Sequence, residues 1–239
     1  MGTNIKAMLF DVFGTVVDWR EGVARELAAF FLRHGFAGDA HAFADDWRGR
    51  YQGSMEPIRR GTRPFTRLDV LHRENLLATF AQWRISTARI DAAEIDELNR
   101  AWHRLDPWPD SADGLTKLRK IGLIAPLSNG NILLLTNMAK RARLPWDCIL
   151  GAEAVQAYKP HPDSYRKTAE ILDLSPRQCL MVAAHNGDLH AARDVGMATA
   201  FIPRPREHGP RQTTDLVPEQ DWDFVARDLI ALAEQLAGD

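Results

Sequence analysis

The sequence has no excess of charge of one sign, very little cysteine and no long apolar run. Its 239 residues include 30 Lys and Arg against 32 Asp and Glu, and this formal net charge of -2 provides no field that would attract nucleic acid or an anionic membrane. No stretch approaches the roughly 20 apolar residues of a membrane span, and the amino-terminal stretch MGTNIKAMLFDVFG has too short an apolar run for a signal peptide. We therefore expect a cytoplasmic protein that binds neither nucleic acid nor membranes.

The side chains that usually bind structural metals are sparse. The two cysteines, Cys148 and Cys179, form no CxxC pattern, and we expect both to be inert core thiols. Four histidines lie in helical patterns at separations that suggest no tetrahedral site: His34, His41, His72 and His103. We interpret these four as solvated or capping residues and expect no zinc site.

The most informative feature is an apolar run that ends in a carboxylate. Ile5–Phe10, broken only by Lys6, leads into Asp11 and the turn Val12–Thr15, which contains a glycine. In open α/β folds, ligands bind at the carboxyl ends of parallel strands, and a Gly-containing turn marks such an end. Phe13 stands two residues after Asp11, so this turn lacks a second carboxylate that could donate a proton or bind a metal.

The hydrophobic pattern predicts an α/β fold. Apolar residues at spacings of three and four after Trp19 predict a helix that stops near Gly35. Further helices are predicted over 39–53, 66–83, 91–104 and 222–237. Strand patterns lie at Leu123–Leu127, Cys148–Leu150, Cys179–Ala183 and Ala198–Ile202. Strands that alternate with helices in this way make a parallel sheet.

Two packed regions are expected. A doubly wound, Rossmann-like core with a parallel sheet would be built from residues 1–18 and 105–239, and residues 19–104 would form a helical insert directly after the first strand. The stretch Asp106–Asp110 contains two prolines, which stop helices and stiffen the chain, so we expect it to be the return linker. An insert at this point of the chain overhangs the edge of the sheet.

Three further polar segments follow predicted strands and are expected to converge on Asp11. They are Leu127–Asn131, Tyr158–Pro162 and Ala183–Asp188. With DVFGTVVDW at the amino end, the segments LSNGN, YKPHPDSY and the final acidic stretch resemble the haloacid dehalogenase superfamily. More narrowly, the chain resembles the type II L-2-haloacid dehalogenases, which displace a halide from the α-carbon of a short acid. The match spans nearly the whole chain in family order, and it implies an α/β core with an inserted helical cap domain and suggests a homodimer.

The resemblance implies a set of catalytic residues. Asp11 would be the nucleophile, forming an ester that water then opens. Lys159 would keep the Asp11 carboxylate ionised, and Asp188 would orient or deprotonate the water. Thr15 and Ser128 would hydrogen-bond the nucleophile or the substrate carboxylate. Outside the motif, Thr15 and Ser128 would be interpreted as helix caps and Asp188 as an acid favoured by the helix dipole.

The resemblance also implies that Arg48 and Asn129 cradle the leaving halide. An anion taken out of water costs several kcal/mol unless a cation or hydrogen-bond donors meet it. Four other arginines of the insert remain alternatives to Arg48: Arg50, Arg59, Arg60 and Arg63. Without a role in the site, each would simply lie on a solvent-exposed face of a helix.

Four other residues are assigned to the pocket. Phe13 and Trp19 are expected to line it, since an apolar wall is typical of small-molecule sites. Tyr165 matches a family tyrosine near the pocket, although a helix-packing role is the alternative. His185 stands where asparagine is common in this family, and it either donates a hydrogen bond in the site or packs as an ordinary histidine.

These residues predict a hydrolytic dehalogenase that converts short (S)-2-haloacids or haloacetates to 2-hydroxy acids without metal or cofactor. The first alternative is a Mg²⁺-dependent phosphatase of the same superfamily, which needs an acid two residues after the nucleophile and several metal-binding carboxylates. Phe13 cannot protonate a leaving group, and Ala184 occupies the position of the first acid of the usual magnesium segment. The second alternative is a catalytically silent small-molecule-binding protein that kept the fold.

Overall fold

The fold is built on a five-stranded parallel sheet. The structure is a computed structural model, and it describes residues 5–238. The strands are β1 (Ala7–Phe10), β2 (Val17–Asp18), β3 (Asp106–Pro107), β4 (Leu123–Pro126), β5 (Cys179–Ala183), β6 (Ala198–Phe201) and β7 (Phe224–Val225). The order in the parallel sheet is β4-β1-β5-β6-β7, and β2 and β3 form a separate antiparallel pair.

Helices cover both faces of the sheet and make up the regular structure of the insert. They are α1 (Trp19–His34), α2 (Ala40–Gly49), α3 (Tyr51–Arg59), α4 (Leu68–Gln82), α5 (Ala92–Asn99), α6 (Ser111–Leu118), α7 (Ile132–Ala142), α8 (Ala152–Val155), α9 (Pro162–Ile171), α10 (Asn186–Asp194) and α11 (Leu229–Gly238). Single 3-10 turns lie at Arg100–His103 and Pro176–Gln178. In the described residues, no helix combines the length and apolar character that crossing a membrane requires.

Strand β1 is an interior strand of the sheet, between β4 and β5, and is buried on both faces. Met8 and Phe10 pack into one apolar cluster, while Ala7 and Leu9 pack into a second cluster on the opposite face. Such two-sided burial is why parallel strands are continuously apolar rather than alternating. Because β1 pairs in parallel with both β4 and β5, the chain leaves all three strands at the same edge. Asp11 therefore emerges beside the loops that follow β4 and β5.

The helical insert leaves and rejoins the core through a short antiparallel ladder. Strands β2 and β3 pair with Val17 opposite Pro107, and α1 to α5 lie between them in the chain. The Asp18 side chain accepts a hydrogen bond from the backbone N of Glu21 and so caps α1, as N-terminal aspartates commonly do. Gly35 closes α1 with φ of 67°, in agreement with the predicted stop.

One predicted strand is absent. Cys148–Leu150 is irregular, and the neighbouring Asp147 joins the sheet edge instead. The Asp147 carboxylate accepts a hydrogen bond from the backbone N of Ile124 at 3.0 Å, and the Asp147 backbone N donates to the Ile124 carbonyl at 3.0 Å. Because the Asp147 side chain accepts a hydrogen bond that a backbone carbonyl would accept in a strand, the pairing with β4 does not continue along Cys148. The thiols themselves are free, with Cys179 buried and Cys148 half-buried.

Two predicted helices have different bounds. The helix predicted over 39–53 is divided at Arg50 into α2 and α3. The last helix begins at Leu229 rather than near residue 222, because Phe224 and Val225 extend the sheet beside β6. Asp228 caps this helix, its carboxylate accepting a hydrogen bond from the backbone N of Ala231 at 2.7 Å.

Two of the histidines were wrongly predicted to be solvated or capping. His72 and His103 are buried, and His72 stacks on Trp102 with ring centroids 4.3 Å apart. Both are in helical segments whose inner faces also carry aromatic side chains, so their rings fill the interior of the insert. Burial lowers the pKa of His72 to about 3, so the ring is neutral.

Candidate active site

Asp11 lies at the carboxyl end of β1, at the wall of a cavity of about 700 Å³. Its backbone N donates to the carbonyl of Val182 on β5, which fixes the residue as the last one paired with the sheet. Only 6% of Asp11 is exposed. The cavity is lined by residues from the core and from the insert, so it lies at the junction of the two regions.

Three side chains hold the carboxylate of Asp11. Lys159 Nζ donates to Oδ1 at 2.9 Å, and the hydroxyl of Thr15 donates to Oδ2 at 2.7 Å. His185 Nδ1 lies 3.1 Å from Oδ2. Burial by itself would raise the pKa of Asp11, but the charges of Lys159 and His185 outweigh it and hold this pKa far below its usual range. Asp11 is therefore an ionised carboxylate at neutral pH.

Lys159 lies between two carboxylates. Its ammonium contacts Asp11 and also Asp188, and the lysine is 7% exposed. Burial would lower the pKa of Lys159, but the two carboxylates raise it above its ordinary value, so the side chain stays charged. The backbone N of Lys159 donates to Asn129 Oδ1 at 2.8 Å, which joins the loop after β4 to the loop before α9.

Asp188 lies in the first turn of α10 and has partners on both oxygens. The hydroxyl of Tyr165 donates a hydrogen bond to Oδ1 at 2.6 Å, and Lys159 contacts Oδ2. Burial raises the pKa of Asp188, and the nearby negative charge of Asp11 raises it further, against the opposing effect of Lys159. Tyr165 thus contacts the site through Asp188 and also lines the cavity.

The two predicted hydroxyl residues have different surroundings. Thr15 accepts a hydrogen bond from the backbone N of Ala184 at 2.9 Å while it donates to Asp11, so it joins the turn after β1 to the end of β5. Ser128 is buried, but its hydroxyl oxygen accepts from the backbone N of Gly130 at 3.2 Å and makes no hydrogen bond to Asp11 among the described residues. Of these two hydroxyl residues, Thr15 is the one that hydrogen-bonds Asp11 within residues 5–238.

Arg48 is a half-buried cation whose guanidinium lies against aromatic rings. Its guanidinium carbon lies 3.9 Å from the ring centroid of Tyr51 and 5.4 Å from that of Trp19, with Phe13 and Trp102 slightly farther away. Such faces attract a cation without neutralising it. The Nη1 atom is buried and has no hydrogen-bond partner within residues 5–238. A buried donor of this kind needs an acceptor, so the arrangement favours an anion in the cavity.

The four arginines that the sequence offered as alternatives to Arg48 have partners elsewhere. Arg50 contacts Thr79 and Gln82, Arg59 contacts Glu56 and the Lys159 carbonyl, Arg60 contacts Glu56, and Arg63 contacts Glu74. Of these five arginines, only Arg48 lines the cavity. Asn129 lines it as well, and because its Oδ1 accepts from Lys159, its amide NH₂ remains to donate.

An Arg48→Met variant should test whether the guanidinium of Arg48 binds an anion in the cavity. Loss of one preorganised donor costs about 2.7 to 4 kcal/mol of transition-state stabilisation, so we expect kcat/KM for a haloacid to fall by about 10²- to 10³-fold. Arg60→Met is the matched control, because the Arg60 side chain is 72% exposed and pairs with Glu56, which precedes it by one helical turn. An equal loss in both variants would contradict a special role for Arg48.

Sequence reasoning missed Glu207, which lies in the irregular passage after β6. Its side chain is 1% exposed, its carboxylate contacts His185 Nε2 at 2.8 and 3.0 Å, and Trp19 Nε1 donates to it at 3.0 Å. Gly14 has φ of 91°, and a Cβ atom there would lie 2.1 Å from Glu207 Oε1, so the turn after Asp11 leaves room for this carboxylate. The sequence signal that could have identified Glu207 was an acidic residue shortly after the end of β6, another strand of the parallel sheet.

His185 lies in the site between two carboxylates and is not an ordinary packed histidine. Burial would lower the pKa of His185, but Glu207 and Asp11 raise it well above its usual value. The same contact lowers the pKa of Glu207 against the effect of burial. Phe13 and Trp19 line the cavity as expected, and Tyr51 is an additional lining residue that the sequence did not indicate.

The donor set does not fit a magnesium ion. All four carboxylate oxygens of Asp11 and Asp188 already have side-chain partners: Lys159 contacts both residues, Thr15 and His185 contact Asp11, and Tyr165 contacts Asp188. Phe13 and Ala184 contribute no side-chain oxygen at the two positions where a phosphatase would carry acids. Within residues 5–238, no cluster of three or more His, Cys, Asp or Glu side chains is placed to hold a metal.

Comparison with known proteins gives a consistent result. A model of the haloacid dehalogenase-like hydrolases matches residues 5–196. The chain is 27% identical over 202 residues to the (S)-2-haloacid dehalogenase of Xanthobacter autotrophicus, covering 84% of this chain and 76% of that protein. Among solved structures, a defluorinating L-2-haloacid dehalogenase is 53% identical, with a TM-score of 0.96 over 98% of this chain and 95% of the other. The L-2-haloacid dehalogenase from Xanthobacter autotrophicus with chloropropionic acid covalently bound is 25% identical, with a TM-score of 0.80 and coverage of 98% and 99%.

Proposed function

Because the chain belongs to the haloacid dehalogenase-like hydrolase family, we propose that it hydrolyses short (S)-2-haloacids or haloacetates to 2-hydroxy acids and halide. One observation carries the proposal. The ionised, buried carboxylate of Asp11 and the guanidinium of Arg48, whose buried Nη1 atom has no hydrogen-bond partner within residues 5–238, line the same cavity. The first is suited to attack carbon, and the second is suited to bind the carboxylate or the departing halide of the substrate.

In the first step, Asp11 attacks the carbon that bears the halogen. The carbon–halogen bond breaks as the carbon–oxygen bond forms, and the halide leaves with the electron pair and needs no proton. Lys159 and Thr15 hold the carboxylate in place, and fixing a nucleophile in line with its substrate can supply about 7 to 11 kcal/mol. Arg48 and the amide NH₂ of Asn129 would meet the halide as it separates.

In the second step, water opens the aspartyl ester and restores the Asp11 carboxylate. The relative from Xanthobacter autotrophicus with chloropropionic acid covalently bound supports such an intermediate. Asp188 would orient the water or hold Lys159 in place, and Tyr165 holds Asp188. Ser128 stays a proposed contributor through the loop after β4, although its hydroxyl is turned toward Gly130.

We also propose that residues 19–104 act as a cap over the core formed by residues 1–18 and 105–239. The support is that the insert supplies Arg48 and Tyr51 to the cavity while the core supplies Asp11. Aromatic rings from both regions pack together, with Phe13 of the core and Trp102 of the insert 5.9 Å apart. A cap held this way would exclude water during attack on carbon.

Halide release in the presence and absence of a chelator tests the proposed function. With chloroacetate, 2-chloropropionate or fluoroacetate as substrate, we expect halide release that EDTA leaves unchanged, because the carboxylate oxygens of Asp11 and Asp188 already have side-chain partners and the departing halide needs no metal. Fluoroacetate is included because a solved structure 53% identical to this chain is that of a defluorinating enzyme. Phosphate release from small phosphoesters that depends on Mg²⁺ would establish the phosphatase instead. Binding of haloacids without turnover would favour a silent binding protein.

We also propose that the protein is a homodimer located in the cytoplasm. Three exposed apolar side chains, Val70, Ile132 and Leu133, lie at the starts of α4 and α7. Those two helix starts are adjacent, since the backbone N of Asp69 donates to Asn131 Oδ1 at 3.2 Å. Apolar patches of this kind often mark contacts between subunits. Light scattering of the purified protein should give twice the mass of the chain, and a monomer at micromolar concentration would contradict it.

A further inference from the structure

We propose that His185 is the base that removes a proton from the hydrolytic water, and that Glu207 is the residue that positions it. This inference rests on the proposed ester at Asp11 and assigns a step that the motif residues leave open. It is carried by the line of contacts from Asp11 Oδ2 to His185 Nδ1 and from His185 Nε2 to the Glu207 carboxylate.

The geometry places the imidazole next to the bond that water must open. Nδ1 of His185 lies 3.1 Å from Asp11 Oδ2, so a water molecule held by Nδ1 is within reach of the Asp11 carboxyl carbon. A general base must lie within one hydrogen bond of the proton it takes, directly or through one water molecule. The side chain of His185 is 24% exposed and lines the cavity, so water has access to it.

Glu207 fixes which ring nitrogen is free. An ionised carboxylate only accepts hydrogen bonds, so the nitrogen it contacts, Nε2, must carry the proton. In a neutral imidazole the other nitrogen, Nδ1, then has a lone pair directed at the ester. This is the logic by which a buried carboxylate orients the histidine of a catalytic triad. No group other than Glu207 contacts Nε2 among residues 5–238.

The position of Glu207 is built into the fold. Its backbone N donates to the Arg204 carbonyl at 3.1 Å, and Arg204 in turn donates to the Thr15 carbonyl at 2.9 Å and pairs with Asp110. The loop that carries Glu207 is therefore fastened to the turn that follows Asp11. Trp19 Nε1 donates a further hydrogen bond to the carboxylate, which leaves Glu207 little freedom to move away from His185.

Asp188 is less suited to take the proton. Its oxygens are held by the ammonium of Lys159 and the hydroxyl of Tyr165. In the intermediate, Asp11 is an uncharged ester, so Asp188 is the remaining negative partner of the buried Lys159. Protonation of Asp188 would remove that charge as well. Removing partners from a buried ion pair is strongly unfavourable. Asp188 therefore acts on Lys159, and His185 acts on water.

Ester formation changes the charge around His185 in the required direction. Before attack, the ring faces the carboxylates of Asp11 and Glu207, and both raise its pKa, so it carries a proton. The ester is uncharged, so one of these two effects disappears and the pKa of His185 falls. The other charged or titratable groups nearby are Arg48 and His208 beside Glu207, and Lys159 and Asp188 beside Asp11, and ester formation adds no group to any of them.

The protons balance over the two steps. After the halide leaves, imidazolium releases its Nδ1 proton to water, and neutral His185 remains. Water then adds to the carboxyl carbon of the ester; one of its protons goes to His185 Nδ1 and the other leaves with the 2-hydroxy acid as its alcohol hydrogen. The oxygen of the water stays in the carboxylate of Asp11. The carboxylate and the imidazolium are thus both restored.

Rapid mixing of excess chloroacetate with the enzyme separates the two steps. We expect His185→Gln to release one halide per active site at close to the parental rate and then to stall. The hydrolysis rate should fall by about 10²- to 10⁴-fold, and intact mass should show an added carboxymethyl group on the peptide that contains Asp11. The halide burst itself shows that the variant is folded and that its site is assembled.

The Glu207→Gln variant tests whether Glu207 acts through the pKa of His185, because a purely structural role for Glu207 would not shift the pH dependence of ester hydrolysis. The amide keeps the shape of the side chain but removes its charge, so the pKa of His185 in the ester should fall. The rate of ester hydrolysis rises with pH as His185 loses its proton; in Glu207→Gln this rise should occur at lower pH and reach a lower plateau. His190→Gln, an exposed histidine of α10 paired with Asp194, is the matched control and should behave as the parent.

Three results would overturn the assignment while the proposed function stands. In the first, His185→Gln hydrolyses the ester at the parental rate. In the second, His185→Gln loses the halide burst, which would place the residue in the attack step. In the third, Asp188→Asn accumulates ester while His185→Gln does not. If the parent itself releases no halide from any haloacid, the proposed function fails, and the assignment fails with it.

Discussion

An Asp11→Asn variant is expected to lose halide release by about 10⁵- to 10⁶-fold, the scale on which removal of a nucleophile affects other hydrolases. The amide is uncharged and a poor nucleophile, so no ester can form. The replacement keeps the shape of the side chain and leaves Lys159 its contact with Asp188, so the fold should persist. Halide release and thermal unfolding are the two measurements.

The control for this variant is Asp113→Asn. Asp113 is exposed in the first turn of α6, away from the cavity, and its replacement should change the rate by less than about twofold, in keeping with the small effects of most surface substitutions. Turnover by Asp11→Asn within a hundredfold of the parent would remove Asp11 from the role of nucleophile. A parallel loss in both variants would point to a general defect in folding.

A Lys159→Met variant is expected to lose both activity and stability at neutral pH. Asp11 and Asp188 would remain buried without the ammonium between them, and removal of one partner from a buried ion pair typically costs about 3 to 5 kcal/mol. In the parent, the pKa of Asp11 is held far below its ordinary value, so this group stabilises the fold above that value and loses the effect as pH falls. In the variant the two carboxylates repel, and protonation relieves them.

The free energy of unfolding of parent and Lys159→Met should therefore converge as the pH is lowered. We expect the difference in urea unfolding to be largest near neutral pH and clearly smaller near pH 4 to 5, roughly where carboxylates begin to gain protons. Lys167→Met is the matched control on α9, because Lys167 pairs with Asp163 at the surface and such pairs contribute about 0 to 1 kcal/mol. A pH-independent loss would show that shape, and not charge, is what Lys159 provides.

Local patterns were enough to predict the parts of the fold that depend on nearby residues. The apolar run before Asp11, the helical spacing after Trp19 and the stop at Gly35 each depend on neighbours a few positions away, and the structure agrees with them. The fold class was also predicted correctly. Cys148–Leu150 was wrong because the choice there depends on Asp147, whose side chain reaches across to Ile124 and takes up a backbone hydrogen bond.

The site divides in the same way. Asp11, Lys159 and Asp188 were singled out because each follows a strand or precedes a helix in a recognisable motif, and the structure brings their charged groups together. The choice among the arginines of the insert was open from sequence. It is decided by partners that lie on other helices, since Arg50 and Arg63 have acceptors there and the Nη1 atom of Arg48 has none.

By itself, the sequence determined where the first strand ends and which carboxylate follows it, because strand and turn formation are governed by a few adjacent residues. Only the tertiary structure decided that Glu207 contacts His185 and that Thr15 bridges Asp11 and the backbone N of Ala184. Those outcomes depend on how a loop after one strand packs against the turn after another. The direction in which a side chain points across such a contact is set by three-dimensional packing, which no local pattern encodes.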